Sequence, residues 1–160
     1  LIQFGHNDGG PINTGKARGE LKGNGNEKEL MKMEPTGLNE GIYSFGWYIR
    51  KFCLDAKEKG AIPIVMSITP RNMRDENGRI IREKDYKEWS REAAEQTGAW
   101  FIDLNEISAS ALDKLSKEEA DKHFQGDHTH SSEIGAERNA RSVVKGIRSL
   151  RKLPLRKTLK

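Results

Sequence analysis

The sequence predicts an α/β fold, a three-layer α/β/α sandwich around a parallel sheet, on three observations. Short apolar stretches of strand length, residues 1–4, 62–70 and 99–104, alternate with longer amphipathic ones. The middle stretch, IPIVMSITP, is almost continuously apolar, as a parallel strand covered on both faces must be. The segments between the strands repeat their apolar residues at helical spacing. Strands and helices in alternation require right-handed crossovers, which place helices against both faces of a sheet.

Taken in order, residues 1–4 (LIQF) read as a buried strand that Gly5 ends at a turn. Residues 9–37 are polar, carry seven glycines and keep no period, so they read as one long loop. A connection of that length in a compact domain is commonly a lid or rim over a site. Ile42, Phe45, Ile49, Phe52 and Ala56 then recur at helical spacing, with Arg50, Lys51, Asp55, Lys57 and Glu58 between them and Gly60 as a stop. Trp47 and Tyr48 lie on this helix, where the spacing favours core positions. Residues 62–70 form the central strand, 71–78 a turn-rich loop, and 83–97 a helix that turns Tyr86, Trp89 and Ala93 inward before Gly98. The strand 99–104 (AWFIDL) follows, then a broadly helical stretch 105–122 and a loop 126–132. A last helix, 135–150, faces inward with Ala136, Ala140, Val143, Val144, Ile147 and Leu150.

The chain of 160 residues suits a single domain, which at this size buries roughly two-thirds of its unfolded surface. Its net charge of +4 is a property of the C-terminal end, because residues 145–160 hold seven of the 28 basic residues and none of the 24 acidic ones. The basic tail, 151–160, is expected to be solvated, with the helix macrodipole favouring cations there. No nucleic-acid partner is expected. The single cysteine, Cys53, excludes an internal disulfide and multi-cysteine metal sites, and its place beside an apolar helix face makes it a small buried hydrophobe. No apolar run approaches the roughly 20 residues needed to cross a bilayer, so no membrane partner is expected either. The sequence opens inside an apolar run with neither Met nor a polar lead-in, and the expectation is a chain truncated at its N-terminus, with any targeting signal out of view.

Two short blocks carry chemistry. In open α/β sheets ligands bind beyond the carboxyl ends of the strands. Residues 5–8 (GHND), 70–72 and the loop before the last helix (GDHTHSS) are all predicted at that edge. An aspartate three residues before a histidine, on one tight turn, can fold its carboxylate back onto the imidazole and fix its tautomer. A metal clip of Asp127, His128 and His130, with His123 as a further ligand, is the rival reading. Zinc sites, however, usually draw ligands from separated elements braced by an outer shell. A nucleotide-binding loop lacks both its Gly-x-Gly-x-x-Gly pattern and its Walker lysine.

Gly5-His6-Asn7-Asp8 after an apolar strand, together with Asp127-His128-Thr129-His130 before the final helix, resembles the SGNH (GDSL-type) hydrolases. The stretches SFGWYIRKF, GAIPIVMSITPRN and FIDLN are similar to the rhamnogalacturonan acetylesterase branch, which removes acetyl groups from pectin. The resemblance runs through essentially the whole chain and implies a flavodoxin-like SGNH fold, incomplete at the N-terminus. It implies acyl transfer by serine, histidine and aspartate, with no metal and no organic cofactor. On this resemblance His130 is the general base, Asp127 orients it, and Asn7 and Gly5 belong to the oxyanion hole. Asp8 braces the turn, while Arg71, Asn72 and His6 are candidate substrate contacts and His128 has no assigned chemical role. The family's Gly-Asp-Ser block, which holds the nucleophile, and its second-block glycine are absent from this sequence. Both are expected in a missing N-terminal part, leaving the chain alone inactive and poorly soluble, with a non-catalytic sugar-binding remnant as the alternative. The partner implied is an acetylated polysaccharide or oligosaccharide, the expected state a monomer, and the expected location secreted or periplasmic.

Overall fold

The computed structural model describes residues 1–13, 19–34 and 36–159, and they form two compact units. The first comprises Leu1–Ile68 and Lys84–Phe101, the second Thr69–Glu83 and Ile102–Lys160.

In the first unit, strand β1 (Lys28–Lys32) pairs antiparallel with β2 (Asn39–Tyr43), Lys28 facing Tyr43 and Lys32 facing Asn39. The stretch 9–37 is therefore not one loop. β1 is almost wholly exposed, so pairing and not a buried face fixes it, and it leaves no alternation of apolar residues to read. Residues 14–18 and 35 of that stretch lie outside the described residues.

Helix α1 (Phe45–Glu58) starts after Ser44, whose hydroxyl accepts from the Trp47 N–H at 3.2 Å, and Ile42 belongs to β2 instead. Its buried stripe follows the four-residue step Phe45, Ile49, Cys53. Phe52 falls off that stripe, is 48% exposed, and stacks on Phe4 with ring centroids 5.2 Å apart. Cys53 is fully buried, and burial pushes its thiol up, as an inert core residue requires.

The apolar stretch 62–70 narrows to β3 (Ile64–Met66), which pairs with β4 (Trp100–Ile102). Residues 1–4 add a single parallel bridge, Ile2 to Val65, through Ile2 N–H to the Ile64 carbonyl (2.9 Å) and Met66 N–H to the Ile2 carbonyl (2.8 Å). The expected parallel sheet is thus present in part, with an isolated bridge where a full strand was expected. Against it pack α1 and α2 (Asp85–Thr97), and Phe45, Ile49, Val65, Ala93 and Ala94 form the core with Tyr86 and Trp89 at its margin.

In the second unit, the helical stretch 105–122 is two helices, α3 (Leu104–Leu112) and α4 (Lys117–Asp121). Ser116 and Glu119 close a reciprocal capping box that starts α4 afresh. Helix α5 (Glu133–Ser149) buries Gly135, Ser142, Gly146 and Ile147, whereas Ala136 and Ala140 are exposed. Its inward face is rotated from the alanine stripe because the helix approaches a neighbour closely. A Cβ on Gly135 would lie 2.0 Å from the His123 carbonyl oxygen. Ile80, Ala109, Leu112 and Ala120 form this unit's core. The basic tail is not wholly solvated, since Leu153 is buried and Pro154–Thr158 forms a 3₁₀ turn. Among the described residues no helix is long and apolar enough to cross a membrane.

Candidate functional site

The turn that carries Asp127 is built on hydrogen bonds to its own carboxylate. Oδ1 accepts from the backbone N–H groups of Thr129 and His130, both at 2.7 Å, which closes an Asx-type turn. Oδ2 lies 2.6 Å from Nδ1 of His130. The His130 side chain first, then the His130 and Thr129 amides, hold the Asp127 carboxyl well below the usual carboxylate range. An ionised carboxylate only accepts, so Nδ1 donates in this contact and Nε2 is the ring nitrogen that faces away from it. The His130 side chain is 74% exposed, so that nitrogen is reachable.

The loop around this pair is fastened at both ends. Gln125 N–H donates to the His130 carbonyl (2.9 Å), and Ser132 N–H to the His123 carbonyl (3.0 Å). Ser132 then caps α5 through its hydroxyl, which accepts from Gly135 N–H. From the other side, Asn72 N–H donates to the His128 carbonyl at 2.8 Å, while the Asn72 carboxamide donates to Asp121 Oδ1 at 2.7 Å. Asn72 therefore holds the turn in place. Arg71 and His128 are exposed.

The second block lies in the first unit. Gly5 adopts φ +137°, and a Cβ there would meet Ile68 Cγ2 at 2.7 Å, so glycine is needed on both counts. Its N–H donates to Asp8 Oδ2 at 2.7 Å, and Gly10 N–H closes the turn onto the Asn7 carbonyl at 3.0 Å. The Gly5 amide is thus committed to Asp8, and Asn7 is exposed. His6 is half-buried. The structure thus brings Asp127 to His130 and Asp8 to Gly5, while Asn7 and the Asp127–His130 pair belong to different units.

Glu20 is a neighbour that sequence reasoning missed. Burial first, then the Asp8 charge and a hydrogen bond to it, push its carboxyl up from 4.5 to about 9. A carboxyl raised this way favours its protonated form, which is able to donate to Asp8. Nothing in a polar, glycine-rich stretch marks one glutamate among its charges. Among the described residues no group of three or more His, Cys, Asp or Glu side chains is arranged to hold a metal ion.

No family model matches the chain. It is 27% identical over 147 residues to the rhamnogalacturonan acetylesterase of Emericella nidulans, a match covering 92% of this chain and 59% of that protein. It is 26% identical over 165 residues to the probable rhamnogalacturonan acetylesterase YesY of Bacillus subtilis, covering 99% of this chain and 65% of that one. The chain is similar in sequence to proteins named as rhamnogalacturonan acetylesterases. It spans about three-fifths of the length of these relatives. A crystal structure of protein YXIM from Bacillus subtilis superimposes with a TM-score of 0.62 at 24% identity, over 66% of this chain and 30% of that one. That likeness is one of fold.

Proposed function

We propose that the protein carrying this chain is a carbohydrate esterase that removes acetyl groups from rhamnogalacturonan by serine–histidine–aspartate acyl transfer. The observation that carries the reading is the 2.6 Å contact between Asp127 and His130, in a chain whose relatives are named for this activity. Nε2 of His130 takes the proton of a serine hydroxyl as its oxygen adds to the acetyl carbonyl carbon. Asp127 stabilises the imidazolium that results without taking the proton itself. Asn7 donates its carboxamide to the oxyanion, and Gly5 and Asp8 set the turn that presents it. Collapse breaks the bond to the sugar oxygen, which leaves with the proton from His130. Water then adds to the acetyl-serine and gives a proton to His130, and collapse breaks the bond to the serine oxygen, which takes that proton back from His130 as acetate departs.

The sequence has no Gly-Asp-Ser block, so the nucleophile is assigned to a segment of the protein outside this chain, and the chain by itself is inactive. The substrate is an acetylated polysaccharide or oligosaccharide, and Arg71 and His6 are candidates for contacts to it. Labelling the whole protein with an organophosphorus ester and mapping the modified peptide tests the assignment. One adduct on a serine outside this chain, with loss of acetate release from acetylated rhamnogalacturonan, is the expected result. An adduct on a serine of this chain, or full activity after labelling, contradicts it.

A further inference from the structure

A groove between α3 and α5 in the second unit, about 410 Å³ in volume, includes no residue of the 126–132 loop. Its walls carry Lys114, Arg138, Arg141 and Lys145, and its one acid, Glu137, is taken by Arg141 at 2.6 Å. Lys114, Arg138 and Lys145 have no acidic partner among the described residues. Two polar atoms on the same walls are buried without a hydrogen-bond partner among the described residues, Arg138 Nε and His123 Nδ1, and His123 is only 7% exposed. Buried polar atoms are almost always satisfied in folded proteins. Several cations around one concavity, whose single acid is already paired, match an anionic guest. Arginine offers planar, paired donors to carboxylate and phosphate oxygens alike, and lysine adds point charge. The volume falls within the range of small-molecule sites, about 300–1,000 Å³.

We propose that this groove binds a small organic anion through a carboxylate or phosphate group. The site is independent of the acetylesterase reading and stands or falls without it. The test is isothermal titration of the protein carrying this chain with galacturonate, glucose 6-phosphate and uncharged galactose. At least one of the two anions binds saturably and galactose does not, and the preferred anion identifies the source. Replacing the exposed pair Lys114→Gln and Lys145→Gln weakens that binding about tenfold, the sum expected of two modest charge contacts. The same charge loss in the tail, Arg151→Gln with Lys152→Gln, changes it less than about twofold, since exposed charges outside a site are screened. Absence of saturable binding by both anions, equal binding of galactose, or equal weakening by the tail pair overturns the proposal.

Discussion

Asp127 and His130 meet through Oδ2 and Nδ1 at 2.6 Å, on a turn that the same carboxylate closes with its other oxygen. One aspartate therefore shapes the backbone and orients the imidazole at once. Losing it should disturb both, whereas losing His130 should leave the turn standing, because the His130 backbone N–H still reaches Asp127.

The second block makes a separate claim. If the Asn7 carboxamide stabilises the oxyanion, Asn7→Ala in the whole protein should lower kcat on an aryl acetate by about 10²–10³-fold with little change in KM. The side chain is exposed, so the fold should survive, as thermal unfolding will show. A kcat within a few-fold of wild type would leave Asn7 as part of a turn only.

Glu20 predicts a pH dependence of stability. Its carboxyl sits at about 9 in the folded chain against 4.5 ordinarily, so the folded state holds a proton that the unfolded state releases between those values. Stability therefore falls as pH rises through that window. Glu20→Gln keeps a neutral donor beside Asp8 and should flatten the slope. Calorimetry from pH 5 to pH 9 checks this: the variant should gain on wild type toward the alkaline end, and a constant difference between the two would refute the proton.

The Asn72 amide and carboxamide are both spent within the second unit, on the His128 carbonyl and on Asp121. Asn72→Ala should lower Tm by about 2–4 °C and reduce kcat more than it raises KM for the polysaccharide. A selective rise in KM for acetylated polysaccharide, with Tm unchanged, would return Asn72 to the substrate contacts.

Much of this was legible in the sequence for a physical reason. The Asp-x-x-His spacing is local, so a single turn dictates that the two side chains meet. Ile49, Cys53, Ile64 and Val65 were readable as core because burial leaves a period or a run. What was illegible depended on pairing or close approach. β1 is an exposed strand fixed by its partner β2, and Ile2 finds its place through one bridge to Val65. On α5 Ile147 is buried as its spacing predicts, but Ala136 and Ala140 are exposed because Gly135, which carries no apolar signal, sets the approach to His123. Glu20 could not be singled out until folding placed it beside Asp8, and nothing in the sequence pairs Asn72 with Asp121.

The most direct test of the account is acetate release by the whole protein from acetylated rhamnogalacturonan and from an aryl acetate, compared with His130→Ala and Asp127→Asn. The account predicts that His130→Ala loses at least about 10²–10⁴-fold in kcat, the share usual for a general acid–base group. Its circular dichroism and Tm should stay at wild-type values, and Asp127→Asn should lose less activity. Near wild-type turnover by His130→Ala would contradict it.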